Sequence, residues 1–334
     1  MKIQVNVECC VCKSMHSHEL FVTKFQQAIY PGQFHIRKCD HCGLLFNSPR
    51  LPDNDFPVLY QKDYYVFKEN HKNTFGRMID MYRRTVALVH EDIEDKEVLE
   101  IGSARGHLLA IMNKLGWKVQ GLDLSVNAAD FAIKKLKIPT YKGTLEDYVQ
   151  TIRSSQKTFP LVLAIDVIEH VLHPKEFAEN LGEIVAPGGI LIIDTPNGNA
   201  ADIDSQGIKW LGFNPFHIFF FSINNLTSLL GKHGFVLEKA FSYNNDIMPD
   251  NHNIYIKAEY AVKQMLKKVG FFNICATVYH FYKNLIGGLL SKQLNTACKK
   301  IKDGKTYFQT PDSNRLYAEQ CRGGNLVIIF RKSS

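Results

Sequence analysis

A chain of 334 residues with 45% hydrophobic and 22% charged residues has the balance of a folded globular protein, and its length predicts one large core with an accessory module. Lys and Arg outnumber Asp and Glu by 40 to 33, a formal charge of +7 that ordinary folded proteins carry and that selects no partner by itself. No stretch offers the roughly 20 uninterrupted apolar residues of a membrane span, and the first residues have no apolar run of a secretory signal, so the expected location is the cytoplasm.

In chain order, a cysteine module comes first. Five of the eight cysteines fall in Cys9-Cys10-Val11-Cys12 and Cys39-Asp40-His41-Cys42-Gly43. Two C-x-x-C pairs separated by residues 13–38 match a zinc ribbon, in which each pair forms a tight knuckle that supplies two thiolates. Cys9, Cys12, Cys39 and Cys42 are the expected ligands. Cys10 is ambiguous, and His16, His18 or His41 is an alternative to a thiolate. Gly43 suits the positive φ needed where a knuckle turns away from its metal. Residues 19–22 and 34–37 read as hairpin-like runs too small to bury a core without a metal. The alternative, a disulfide framework, requires an oxidising compartment. Four protein ligands leave no open coordination position, so the Zn2+ is expected to be structural. Cys275, Cys298 and Cys321 lack metal-like spacing and read as small buried or surface thiols.

The next signal is Val98-Leu99-Glu100-Ile101-Gly102-Ser103-Ala104-Arg105-Gly106-His107, an apolar strand that ends on an acidic residue, turns through glycines and opens a helix. An α/β sheet builds a nucleotide pocket in this way, so an adenosine cofactor is expected. Asp123 closes the next strand-like run at about the 20-residue separation of a ribose-binding carboxylate. A dinucleotide fingerprint from Gly102 would put Ala104 at its second glycine and His107 at its third, where a histidine blocks close packing. A glycine turn in an unrelated α/β domain is the plain alternative. A short third strand near Tyr141 precedes Thr144-Leu145-Glu146-Asp147. Residues 161–165 form an apolar run of buried-strand type that delivers Asp166 and Glu169-His170 to its carboxyl end. Pro174 suits a first helical turn, with Phe177, Leu181, Ile184 and Val185 as the apolar stripe, and Pro187-Gly188-Gly189 stops that helix. Residues 190–193 read as another buried strand, ending in Asp194-Thr195-Pro196-Asn197.

The acidic-x-Gly-x-x-x-Gly turn resembles motif I of class I S-adenosylmethionine (SAM)-dependent methyltransferases. The resemblance implies that Gly102 and Gly106 admit the methionine moiety, that Glu100 lies near its ammonium group and that Asp123 accepts both ribose hydroxyls. It also implies cofactor contacts from Ser103, Leu124, Thr144 and Leu145, and from Asp166 near the methionine end. The run from residues 166–171 through 186–189 to 195–197 is similar to the ubiquinone-biosynthesis O-methyltransferase-like families, as are residues 216–222 and Gly234-Phe235. This similarity covers about residues 95–243 and resumes at 324–329. The ribbon followed by residues 47–50 and 60–65 resembles bacterial methyltransferases of small-molecule, polysaccharide or modified-sugar pathways. It also resembles zinc-containing sugar C-methyltransferases, without their full second-half pattern. The implied fold class is α/β: a Rossmann-like class I methyltransferase sheet with a small N-terminal zinc ribbon and a helical C-terminal insertion. The expected domains are a zinc ribbon (1–50), linker and N-terminal helices (51–94), a SAM-binding core (95–243), a helical insertion (244–322) and a last core strand (323–334).

Methyl transfer from a sulfonium is an in-line displacement, and a poor nucleophile also needs a general base. Candidates are Glu169 and His170 after the fourth strand and His217 after the fifth, since histidine titrates near neutrality. Each has a structural alternative: the Glu-His pair as a helix cap or as a backbone hydrogen-bonding pair, and His217 as the edge of an apolar lid of Phe216, Phe219, Phe220 and Phe221. Tyr64 and Tyr65 either cover the acceptor or pack a domain junction. Residues 260–301 carry helix-compatible apolar spacing, including Leu266, Val269, Phe272, Phe281 and Tyr282. A lid, a homodimer contact or an interfacial helix on a membrane surface are its three readings. The resulting expectation is a methyltransferase acting at O or C of a small molecule such as a sugar, polysaccharide precursor or biosynthetic intermediate, as monomer or homodimer. Two alternatives are a zinc-ribbon rRNA or tRNA methyltransferase gripping phosphates around Tyr30, His35, Arg37 and Lys38, which is less favoured, and a non-catalytic interaction scaffold.

Overall fold

Short strands that cannot bury a core alone open the chain and lean on the larger domain behind them. The computed structural model describes residues 5–24, 33–55, 74–214, 216–244, 290–302 and 321–334. β1 (Ser17–Lys24) and β2 (Gln33–Cys39) pair antiparallel from Ser17↔Cys39 to Lys24↔Gln33, and β3 (Leu45–Asn47) adds to β2. The two hairpin-like runs read from the sequence are therefore the two strands of the ribbon.

The core continues as α1 (Thr74–Arg84), β4 (Glu97–Ile101), α2 (His107–Lys114), β5 (Lys118–Asp123), α3 (Val126–Phe131), β6 (Thr140–Lys142), α4 (Leu145–Ile152), β7 (Phe159–Ile165), α5 (Pro174–Ile184) and β8 (Val185–Pro196). After these come α6 (Ala201–Gln206), β9 (Phe219–Phe220), α7 (Ile223–Gly231), β10 (Phe235–Tyr243), a helix α8 at residues 290–302 and β11 (Asn325–Lys332). One seven-stranded sheet has the order β10-β11-β8-β7-β4-β5-β6. Its strands from β8 to β6 are parallel, and β11 runs antiparallel to both β8 and β10. The chain lays β4, β5 and β6 toward one edge, then returns to place β7 on the other side of β4. At that reversal the carboxyl ends of β4 and β7 lie side by side, the place where open α/β sheets bind ligands.

Strand side chains alternate between two apolar layers, as period-2 geometry requires. Leu99, Ile101, Val162, Ala164, Leu191 and Ile193 join the layer of α4, α5, α7 and the ribbon. Val98, Leu161, Leu163, Ile190 and Ile192 join the layer of α1, α2 and α8. Full burial of each Val, Leu or Ile among them contributes about 1.5–3 kcal/mol. Helix starts follow local chemistry: Pro174 occupies the first turn of α5, and Thr144 and Ser222 close capping boxes with Asp147 and Asn225. The expected stripe of α5 ends one residue early. Val185 already belongs to β8, and Pro187-Gly188-Gly189 lies inside that strand, where the pairing with β7 shifts register between Phe159 and Leu161.

A second sheet, β1-β2-β3-β9, joins ribbon strands to a core segment. In the C-terminal insertion, Leu290, Leu294, Ala297 and Cys298 bury α8 in the α1–α2 layer, and Cys321 is also buried. Leu266, Val269, Phe272, Cys275, Phe281 and Tyr282 lie outside the described residues, as do Tyr30, Tyr60, Tyr64 and Tyr65. Among the described residues no helix is long and apolar enough to cross a membrane. Because the Thr144 hydroxyl caps α4, Thr144→Ala is expected to lower stability by about 1 kcal/mol in urea unfolding.

Candidate functional site

The turn after β4 is built on positive backbone angles. Gly102, Ala104 and Gly106 have φ of 70°, 46° and 70°. At Gly102 a Cβ would lie 2.6 Å from the Val167 side chain, and at Gly106 it would lie 3.0 Å from Ala132 Cβ, so both glycines answer to close approach as well as to φ. The turn is tied to the next strand by Ser103 N–H donating to Leu122 O (3.0 Å). Asp123 receives the Ala104 N–H on one carboxylate oxygen and the Ser125 N–H on the other, both at 2.7 Å. A carboxylate offers about four lone-pair sites, so each oxygen keeps a further acceptor position beside the crevice. Burial pushes Asp123 above the usual carboxylate range, against those two bonds.

Glu100 is buried beneath the turn, with Oε2 unpartnered among the described residues. Burial, and then the neighbouring Asp123 charge, hold its carboxyl well above the ordinary range. Ser103 is likewise buried and packs where Gly121 leaves room: a Cβ there would come within 2.7 Å of Ser103 Oγ. Leu124 and Val126 follow Asp123 as exposed apolar side chains, 72% and 56% accessible. Thr144 is exposed with its hydroxyl committed to Asp147, and Leu145 is buried behind it.

Across the crevice, Asp166 ends β7 with φ 52° and donates its N–H to Asp194 O. Asp166 is exposed to solvent at the strand end, and the protein packed around it together with the Asp194 charge pushes its carboxyl up, against Arg84 and Arg77. Asp194 is fully buried. It accepts from Arg84 Nε at 3.2 Å and from Tyr243 Oη at 3.0 Å, while the guanidinium lies 4.4 Å above the Tyr243 ring. Arg84 is the site residue that sequence reasoning missed. It sits in the last turn of an N-terminal helix with no motif around it, and only folding brings it to Asp194, 110 residues away.

On the opposite face of the same strand ends, Glu169, His170 and His217 come together, with one ligand-type atom of each within 4.8 Å of the others. Thr195 Oγ1 donates to Glu169 Oε2 at 2.8 Å, and Oε1 is buried 4.0 Å from His170 Nε2. His170 Nδ1 meets Phe216 O and His217 Nδ1 meets Gly212 O, both at 2.8 Å, which makes Nδ1 the protonated nitrogen of each ring. The rings stand edge to face with centroids 4.8 Å apart. Burial, and then the Asp166 charge, push Glu169 well above its usual range. Burial pushes His170 down to about 4, and burial with the His170 charge pushes His217 down to about 3. Both imidazoles are therefore uncharged at neutral pH.

In the ribbon, the Sγ atoms of Cys9, Cys12, Cys39 and Cys42 all lie within 4.8 Å of one another. Cys9–Cys42 and Cys12–Cys39 are 3.4 and 3.5 Å apart, far beyond a disulfide bond of about 2.05 Å. They approach the S···S edge of about 3.8 Å that metal–sulfur bonds of about 2.3 Å imply for a tetrahedron. Four converging thiols, two of them buried, fit a closed structural metal site. Histidine is not part of the set: His18 Nδ1 meets Asp40 at 2.6 Å instead. A cleft of about 490 Å³ opens between ribbon and core, beside Phe21, Lys38, Cys42, Asn197, Asp204 and Asn224.

Residues 71–240, just over half of the chain, match the family model described as "Methyltransferase domain". The chain belongs to this family. Among curated relatives, the methyltransferase domain is 36% identical over 103 residues to the mitochondrial ubiquinone biosynthesis O-methyltransferase of Schizosaccharomyces pombe, covering 30% of this chain and 38% of that protein. It is 30% identical over 113 residues to the ubiquinone biosynthesis O-methyltransferase of Rickettsia bellii, covering 32% of this chain and 45% of the relative. The chain thus spans less than half the length of these two relatives. A crystal structure of a SAM-dependent methyltransferase from Archaeoglobus fulgidus is similar over 81% of this chain and 100% of that one, with a TM-score of 0.48 and 16% identity.

The histidine pair predicts a pH dependence. A histidine whose folded pKa lies below its unfolded value of 6.5 contributes stability that is complete above pH 6.5 and is lost as the pH falls toward about 4, since the unfolded chain binds the proton first. In urea unfolding between pH 7 and 4, His170→Gln and His217→Gln should each flatten the slope by up to about 1.4 kcal/mol per pH unit. A slope equal to wild type would mean that the imidazoles protonate freely.

Proposed function

We propose that the chain is a SAM-dependent methyltransferase that transfers a methyl group to O or C of a small molecule, a sugar, polysaccharide precursor or biosynthetic intermediate. The observation that carries this reading is Asp123: a carboxylate with both oxygens oriented by main-chain N–H groups, one strand over from a turn of three positive-φ residues. That pairing suits two ribose hydroxyls beside a nucleoside with no phosphate to cradle. The His107 ring at the start of α2 is incompatible with the third glycine of a dinucleotide fold. Leu124 and Val126 would cover an adenine face. Arg84, held by Asp194 and Tyr243, supplies a cation at the methionine end, suited to that moiety's carboxylate.

The sulfonium brings the leaving group. The acceptor atom forms its bond to the methyl carbon as the carbon–sulfur bond breaks, and that electron pair stays on sulfur as S-adenosylhomocysteine. The chain's share is alignment and removal of the acceptor proton. In this reading the uncharged imidazoles of His170 and His217 are the bases, with Glu169 and Thr195 fixing their surroundings. Cys9, Cys12, Cys39 and Cys42 hold a structural Zn2+ that leaves no open position for substrate.

Calorimetry with S-adenosylhomocysteine should detect binding to the wild type, and Asp123→Ala should weaken it by about 2–3 kcal/mol, roughly a 30- to 150-fold rise in Kd. No binding by the wild type, or equal affinity of the variant, would remove the methyltransferase reading. Elemental analysis of the purified chain should return one zinc per chain, lost in Cys39→Ser; an equal zinc content in that variant would refute the ligand set.

A further inference from the structure

The ribbon and the histidine cluster are joined by a short relay of main-chain bonds. In the second knuckle, Cys39 N–H donates to Leu44 O and Gly43 N–H to Cys39 O, and β3 begins at the next residue, Leu45. β3 pairs with β9 through Leu45↔Phe220 and Phe46↔Phe219. One residue further, Asn47 N–H donates to Ile218 O at 2.9 Å, and Ile218 N–H donates to Glu169 O at 2.7 Å. His217 precedes Ile218 in sequence, and Phe216 O is the acceptor that fixes the His170 ring. Residues 44–48 and 218–221 are buried throughout.

Asn225 forms a second connection. Its Oδ1 accepts from Ser222 N–H and Ser222 Oγ–H, closing the cap of α7, while its Nδ2 donates to Cys42 O at 3.0 Å. From the residue that ends the same helix, Lys232 Nζ reaches Val11 O in the first knuckle at 3.3 Å. Both knuckles thus bear on α7 and on the strand leading into it. The cofactor turn is held in another way, by the Ala104 and Ser125 amides on Asp123 between β4 and β5.

We infer that the four-cysteine cluster positions the Glu169–His170–His217 cluster through β3 and Asn225, so that metal occupancy controls the geometry of the chemical step while leaving cofactor binding intact. The knuckle turns converge on four thiols, and their order depends on the metal those thiols would share. When the knuckles loosen, β3 loses its anchor, and the segment carrying His217 loses the pairing that holds its backbone. Asn225 acts as a positioning residue: it touches a knuckle and a helix cap and none of the reacting atoms. The inference rests on the methyltransferase reading only for what the cluster does, not for the coupling itself.

The test is hydrogen–deuterium exchange of the full chain, zinc-loaded and after chelator treatment, together with calorimetry using S-adenosylhomocysteine. Metal removal should speed exchange at residues 45–47 and 218–220 by about tenfold or more, while residues 98–125 change by less than about twofold. The dissociation constant should also stay within about twofold, and added zinc should restore protection. Asn225→Asp keeps the cap acceptor and removes the donor; with zinc retained, it should give a smaller rise confined to residues 216–222. Persisting protection at 218–220 while the knuckles exchange would overturn the inference, as would a rise extending equally to 98–125. Failure of the zinc-loaded chain to bind S-adenosylhomocysteine would instead sink the methyltransferase reading and leave the exchange result standing.

Discussion

Reversal of strand order between β4 and β7 is the constraint that creates the candidate site. β4 and β7, buried apart from Pro160, end side by side at the point where strand order reverses, which is where open α/β sheets bind ligands. Glu100, Gly102 and Asp123 reach it from one side, and Asp166, Glu169 and His170 from the other. The positive φ of Gly102, Ala104 and Asp166 comes from the same constraint, because the chain must leave each strand sharply without filling the gap.

A crevice with low-dielectric walls makes charge expensive, and the titratable groups around it respond in the expected directions. Carboxyls rise and imidazoles fall, while Asp194, fully buried, is paired with Arg84. Keeping so many acids close together, with Glu100 and Glu169 each holding an oxygen unpartnered among the described residues, is costly for folding.

The ribbon is more than an appended module in structural terms, because its sheet is completed by β9 from the core. Phe46, Phe219, Phe220 and Phe221 bury the joint, and Phe21 packs against Phe213 with ring centroids 5.7 Å apart. Local sequence carries no sign of this pairing: β9 is two residues long and reads only as part of an aromatic segment.

Residue order alone was enough to specify the central strands, the start of α5 and the two cysteine knuckles, because each depends on contacts within a few residues: apolar runs, a first-turn proline and C-x-x-C turns. It also placed Asp123 at the end of the strand after the glycine turn, since that spacing is set by one helical crossover. Long-range packing was needed to decide that Val185 starts a strand, that Arg84 meets Asp194 and Tyr243, that His170 and His217 stack edge to face, and that β3 reaches β9. Most of those contacts join residues far apart in the chain. Their partners are selected by how layers pack and by which buried polar groups remain to be paired, information that no local window contains.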